Sequence, residues 1–245
     1  NGQAGGEGMR KKLKWLSFLL GFIILLFLFK YQFSNNDSWK PWSLPLSGKI
    51  IYLDPGHGGP DGGAVGGKLL EKDVTLEVAF RVRDYLQEQG ALVIMTRESD
   101  TDLAPEGTKG YSRRKAEDLR QRVKLINHSE AELYISIHLN AIPSQKWSGA
   151  QSFYYGKYAE NEKVAKYIQD ELRRNLENTT RKAKRIHGIY LMQNVTKPGA
   201  LIEVGFLSNP SEATLLGKPK YQDKVASSIY KGILRYFTEK GDPPE

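Results

Sequence analysis

KIIYLDPGHGGPDGGAVGG, residues 49–67, is the stretch that decides how the chain is read. Its apolar run IIYL is short, ends at Asp54-Pro55, and reads as a buried strand with polar residues at its C-terminal end. Seven of the twelve residues from Gly56 to Gly67 are glycine, so the backbone there can approach a ligand closely and adopt positive φ where a side chain would clash. A phosphate-binding loop is the rival, but there is no GxxxxGK[ST], and the run is not a GxGxxG leading straight into a helix. The first clear helix begins instead near Glu71. In EKDVTLEVAFRVRDYLQEQG, Val74, Val78, Val82 and Tyr85 or Leu86 fall on one stripe, and Gly90 ends the pattern.

Two later segments repeat the motif of an apolar strand ending in a polar residue: LYISIHLNA, with His138, and ALIEVGFLSN, with Glu203. A mostly apolar strand carries little polar matter without a reason, yet His57 and His138 each end one. Together with Glu71, in the electrostatically favourable first turn of its helix, these two imidazoles make a three-ligand site for one Zn2+ with a position left open for water. Glu203 supplies a further carboxylate to shuttle protons, and the combination is hydrolytic chemistry. Taken singly, each residue has a plain structural role; a first-turn glutamate or a hydrogen-bonded histidine is common. The other histidines, His128 and His187, lie in polar surroundings and read as a helix end and a loop. Cysteine is absent, which removes thiol catalysis and disulfides and restricts any zinc to nitrogen and oxygen ligands.

Strand and helix alternate along the rest of the chain. After KIIYLD and the helix over 71–89 come the strand ALVIMTR, a helix over 111–128 and LYISIH. Then follow the strand GAQSFYYG, a helix over 159–178, the short strand GIYLM, the strand ALIEVGF and a terminal helix over 220–238. This order implies an α/β fold, a mostly parallel mixed sheet with helices on both faces. The segment TDLAPEGTKGYSRR, residues 101–114, reads as a loop over the cleft.

The strings DPGHGG, a glutamate fourteen positions after His57, SIHLNA and IEVGFLSNPSE resemble the zinc-dependent N-acetylmuramoyl-L-alanine amidases, cell-wall hydrolases of the AmiC, LytC and CwlD type. The resemblance runs from about Lys49 to about Phe237. It implies that His57, Glu71 and His138 are the zinc ligands and Glu203 the catalytic glutamate. It also implies that the bond cut joins N-acetylmuramic acid to L-alanine in peptidoglycan. Arg122 falls where the family carries an arginine, with Arg120 the alternative match. With Asn140 of SIHLNA and Asp54, which can orient the His57 imidazole or simply form the turn before Pro55, it makes a supporting or substrate-contacting set. Departures are Leu139, where many members have alanine, and Ile126-Asn127, where an alanine-asparagine pair is usual; neither touches the four site residues. The membrane segment, the short chain, GIYLM and GFLSN are most similar to the CwlD-type amidases of spore formers, which implies spore-cortex maturation. A zinc-dependent peptidoglycan carboxypeptidase or endopeptidase on the same ligands remains open, as does a non-catalytic wall-binding protein.

Composition fits an enzyme outside the cytoplasm. The 245 residues, 40% hydrophobic, suffice for one membrane anchor and one domain with a full core. WLSFLLGFIILLFLF is charge-free and flanked by Lys14 and Lys30, whose snorkelling lets Leu13 to Phe33 span a bilayer. No A-x-A cleavage pattern follows, which favours an uncleaved signal anchor over a secretory signal peptide. Arg10, Lys11, Lys12 and Lys14 precede the run, so the N-terminus faces the cytoplasm and the catalytic domain the outside. The expected organisation is a cytoplasmic segment 1–12, a transmembrane helix 13–33, a linker 34–48 and a catalytic domain 49–240; the eight residues before Met9 are left out of the fold. Of the net charge of +8, half lies before Tyr31, leaving a mildly basic ectodomain suited to an anionic wall polymer. No nucleic-acid motif is present, and an exported chain seldom meets DNA. The densest basic stretch, RRNLENTTRKAKR at 173–185, is ordinarily a solvated helix end and loop; its alternative use is gripping wall carboxylates or anionic lipid. Peptidoglycan, the membrane and possible recruitment of a protein activator are the expected partners.

Overall fold

The computed structural model describes residues 4–34 and 44–244. It divides into two units after Ser43. The first holds one helix, α1 (Ala4–Ser34), in which Met9–Tyr31, 23 residues at mean hydropathy 2.0, is long and apolar enough to cross a membrane. At ~1.5 Å per residue that stretch is about 34 Å long, enough for the hydrocarbon core. The expected linker falls mostly on residues 35–43, outside the described residues. Its last part is not a tether. Leu46 is fully buried in the core of the second unit and its amide donates to Gln89 O, so the folded unit starts at Leu44.

In chain order the second unit comprises β1 (Ile50–Pro55), β2 (Val65–Gly66), β3 (Leu69–Leu70), α2 (Glu71–Glu88), β4 (Leu92–Met95), α3 (Tyr111–His128) and β5 (Leu133–Asn140). It continues with β6 (Gln151–Tyr154), α4 (Ala159–Leu176), β7 (Lys184–Arg185), α5 (Tyr190–Asn194), β8 (Gly199–Phe206), α6 (Pro210–Leu216) and α7 (Pro219–Thr238). Six strands form one sheet in the order β4-β1-β5-β8-β6-β7, and β2 and β3 make a separate antiparallel hairpin. The four strands from β4 to β8 run parallel; β6 lies antiparallel to β8, and β7 pairs parallel with β6 at the edge. The sheet is therefore mixed and mostly parallel, as expected.

Alternation of side chains across the strands explains why both faces are covered. Ile51 and Leu53 of β1, Leu133, Ile135 and Ile137 of β5, and Ala200, Ile202 and Val204 of β8 all face one side and join the main core. That side is covered by α2 and α4, which pack on the sheet, and by α7, which packs on both of them. Val74, Val78, Val82 and Leu86 form the predicted stripe of α2, each at most 2% exposed. Gly90, at φ 89°, supplies the left-handed residue after the helix. The alternate residues, Tyr52 and Tyr134, face the opposite side with Ile126 of α3 and Leu191 of α5. A charge at Ile135 would be enclosed on every side, and the lost burial alone is worth ~1.5–3 kcal/mol.

One expected strand is not a strand. GIYLM, residues 188–192, starts at Gly188 with φ 84° and continues as the one-turn helix α5, closed by Gln193 N donating to Ile189 O. A run this short has no period to separate strand from helix. Consecutive Leu191 and Met192 bury in two different apolar clusters, which a turn of helix allows. The loop expected over 101–114 is a loop only as far as Gly110, because Tyr111 already begins α3.

Candidate metal centre and cleft

The site lies where β1, β5 and β8 end, on the sheet face covered by α3 and α5. Asp54 is registered with Ser136, and His138 with Glu203, so these four polar side chains share that face. Parallel strands bring their C-terminal ends to one side, where the following loops can converge. His57 follows β1 and holds a left-handed backbone at φ 61°, uncommon for a residue with a side chain. Two contacts fix it: Arg122 Nη2 donates to His57 O at 2.6 Å, and Gly58 and Asp61 exchange backbone hydrogen bonds across the next turn.

Glu71, first residue of α2, closes the centre. Its Oε1 lies 3.1 Å from His57 Nε2 and 3.0 Å from His138 Nδ1, and the ligand atoms of the three residues all fall within 4.8 Å of one another. Backbone amides of Leu139 and Ala64 donate to its two oxygens at 2.9 and 2.8 Å, fixing the carboxylate from both sides. Two glycines are required by this crowding. A Cβ on Gly56 would enter the His138 ring, and one on Gly63 would lie 2.6 Å from Glu71 Oε2.

The electrostatics follow from the convergence. Burial pushes the Glu71 carboxyl up, but the hydrogen bonds and charges of His138 and His57 outweigh it and hold the group well below the usual carboxylate range. Burial likewise works against protonated His57, yet Asp61 and Glu71 raise its pKa to about 9. Glu203 has less such help. Burial outweighs the opposing charges of His138 and His57, Glu71 adds to it, its Oε2 has no hydrogen-bond partner among the described residues, and its pKa is pushed up to about 7.

This donor set fits a zinc ion. Ligand atoms ~2.0–2.1 Å from a tetrahedral centre sit about 3.3 Å apart, close to the 3.0 and 3.1 Å separations from Glu71, and two imidazoles with one carboxylate leave a fourth position open. A cavity of about 320 Å³ opens on the group, with Glu203, His57 and His138 on one wall and Leu119, Ile189 and Tyr190 on others. A larger one of about 660 Å³ lies between the β2–β3 hairpin and α6, but Lys68 is the only ionisable group lining it, so it holds no comparable chemistry.

Asp54 does not reach the His57 ring, as one reading of the sequence had it. It is fully buried and accepts from Arg122 Nη1 at 2.7 Å, Thr96 Oγ1 at 2.8 Å and Ser136 Oγ at 2.6 Å. Asp54 thus acts through Arg122, whose Nε also donates to Asp118 Oδ2 at 2.8 Å. Arg122, not Arg120, is the arginine at the site; Arg120 is exposed and paired with Glu117. Asn140 ends β5 and takes Leu207 N on its carbonyl, but does not line the cavity.

The residue that orients His57 is Asp61, which sequence reading passed over. Its Oδ2 meets His57 Nδ1 at 2.9 Å and Lys115 Nζ at 3.0 Å, while Tyr111 Oη donates to Oδ1 at 2.9 Å. A carboxylate on the far nitrogen fixes which imidazole nitrogen is free to bind a metal. The signal was present as an acidic residue four positions after His57 in HGGPDGG. Among the described residues His187 makes an edge contact with Tyr155, and His128 Nδ1 meets Lys124 O.

An α/β sheet that gathers these donors and a buried free carboxylate at its strand ends has the make-up of a hydrolase. The sequence matches the N-acetylmuramoyl-L-alanine amidase family over residues 51–235, and the chain belongs to that family. It is 35% identical over 195 residues to the N-acetylmuramoyl-L-alanine amidase LytC of Bacillus subtilis, covering 79% of this chain but only 36% of that protein. The protein YqiI of the same organism is also 35% identical, over 80% of this chain and 88% of its own length. Among solved structures, the CwlD amidase of Clostridioides difficile, determined in complex with the GerS lipoprotein, is 40% identical with a TM-score of 0.75, covering 77% of this chain and 98% of that one.

Proposed function

We propose that the protein is a zinc-dependent amidase that hydrolyses the bond between N-acetylmuramic acid and L-alanine in peptidoglycan, with His57, Glu71 and His138 as ligands and Glu203 as the proton carrier. The observation that carries this reading is the single carboxylate oxygen of Glu71 within 3.1 Å of both imidazoles, with Glu203 registered beside His138 on the next strand. Zinc in such a site acts as a Lewis acid toward the scissile carbonyl and lowers the pKa of water toward about 7.

The chain's own residues do the rest. Glu203 Oε2, buried and unpartnered, takes a proton from the attacking water and returns it to the departing alanine nitrogen. Burial raises the Glu203 carboxyl above its ordinary value, which favours return of the proton to the leaving nitrogen. Asp61 and Arg122 hold His57 from its ring and its carbonyl. Leu119, Ile189 and Leu191 supply apolar lining to the cavity beside these groups.

The finer assignment is a CwlD-like role in spore-cortex maturation, supported by the 40% identity to the C. difficile CwlD amidase. That amidase was solved with a lipoprotein, and a protein activator is proposed for this chain by analogy. The apolar helix and the basic residues before it support a membrane-anchored enzyme whose catalytic domain faces outward.

The test is to incubate the full chain in detergent with purified peptidoglycan, with and without a chelator, and identify the new ends by mass spectrometry. Chelator-sensitive appearance of free L-alanine amines and lactyl carboxylates is expected. Release of D-alanine would point to a carboxypeptidase instead.

A further inference from the structure

The basic stretch at 173–185 has no part in the centre, yet the fold brings one end of it to the same sheet face. Gln151, first residue of β6, is registered with Glu203, so the two side chains share a face. Arg181 Nη1 donates to Gln151 Oε1 at 3.3 Å and its Nε to Ser148 O at 3.1 Å. The Arg181 guanidinium lies 5.2 Å from the ring centroids of both Trp147 and Phe206. Phe206 is buried, whereas Trp147 remains 50% exposed. Its loop is pinned from below, since Asn209 Nδ2 donates to Gln145 O at 3.0 Å and Trp147 O at 3.3 Å. One row further out, exposed Lys184 is registered with Phe153. A held indole backed by a guanidinium thus lies beside the sheet face that carries Glu203, and Lys184 adds an exposed cation on the edge strand, two strands from Glu203.

We propose that Trp147, Arg181 and Lys184 form a binding surface for the glycan strand of peptidoglycan, and that it prefers a strand whose lactyl groups are free carboxylates to a neutral glycan. This rests on the amidase reading above. A flat, amphipathic indole suits the apolar face of a pyranose ring. Hydrolysis adds the water oxygen to the lactyl carbonyl carbon, breaks the C–N bond and sends the protons to the alanine nitrogen. A neutral amide thereby becomes a carboxylate on the sugar and an ammonium on the peptide. Each cut thus places a negative charge on the sugar itself, where a basic surface beside the centre can meet it, and a positive charge on the released peptide.

The test uses the full chain in detergent micelles and two peptide-free probes of equal length. One is a chain of alternating N-acetylglucosamine and N-acetylmuramic acid with free lactyl carboxylates; the other is a neutral chitin oligosaccharide. The wild type is expected to bind the acidic glycan more tightly than chitin. Trp147→Ala should weaken both by about tenfold. Lys184→Gln should weaken only the acidic probe, severalfold, and the difference should vanish in high salt. Both substituted side chains are exposed, and an unchanged Tm verifies the fold. No binding by the wild type, equal affinity for the two probes, or unchanged affinity in both variants would overturn the proposal. Neither probe contains a scissile amide, so this outcome is independent of whether the chain proves to be an amidase.

Discussion

Asp61 Oδ2 lies 2.9 Å from His57 Nδ1, and the same carboxylate is held by Tyr111 and Lys115, one turn apart on α3. His57 therefore presents Nε2 to Glu71 in a fixed orientation, although its backbone sits in a left-handed conformation in a glycine-rich loop. Removing the carboxylate leaves the ligand present and its direction unset. Asp61→Ala is expected to weaken zinc binding by about 10- to 100-fold, measured by competition with a chromogenic chelator. Unchanged affinity would mean that Asp61 only shapes the loop.

Glu203 carries a pH signature opposite in sign to that of Glu71. Its folded pKa, pushed up by burial to about 7, lies above the 4.5 of an unperturbed glutamate. A raised carboxyl favours the folded state fully below about pH 4.5, and the contribution is lost as pH rises through about 7. In chelator-treated protein, Glu203→Gln should therefore raise Tm at pH 8 and change it little at pH 4.5. Equal effects at both values would contradict the buried, unpartnered carboxylate.

The same substitution separates catalysis from metal binding. Glu203→Gln should lower kcat on peptidoglycan by about 10²- to 10⁴-fold while the protein still binds zinc. Loss of zinc together with activity would make Glu203 a ligand instead of a proton carrier.

Arg122 is nearly inaccessible and neutralises two buried carboxylates, Asp54 and Asp118. Arg122→Met should cost about 3–5 kcal/mol in urea unfolding, because it strands those charges in the interior. A cost below ~1 kcal/mol would show that the network is dispensable.

Gly56 and Gly67 give a matched pair. A methyl at Gly56 would enter the His138 ring, whereas nothing lies within 4 Å at Gly67, where the only penalty is the φ of 62°. Gly56→Ala should cost about 1–3 kcal/mol and displace His138 from the centre. Gly67→Ala should cost ~1 kcal/mol and leave zinc affinity intact.

Much of the site was legible because it is built on periodic elements. His138 and Glu203 lie in the C-terminal halves of apolar strands buried on both faces, and Glu71 opens a helix with an unbroken valine stripe, so composition and pattern assigned their places. Asp61 escaped because its role depends on how an aperiodic loop folds back and on where a distant helix sets Tyr111 and Lys115. Asp54 was left between two roles for a related reason: its partner is Arg122, 68 residues away, and no local pattern reports that pairing. GIYLM failed where an apolar run is too short to show a period. The unassigned helix α6 did carry a visible signal in SNPSE. Asn209 accepts from Glu212 N, and Pro210 begins the helix, as a capping sequence should.

The central claim is that His57, Glu71 and His138 share one zinc ion. The most direct test is the zinc content of the full chain, purified with zinc in the growth medium, beside His57→Ala, Glu71→Ala and His138→Ala. One zinc per wild-type chain, with each substitution lowering the bound fraction to near zero in buffer of micromolar chelator, is the predicted result. Full zinc occupancy in any of the three variants under those conditions would contradict it.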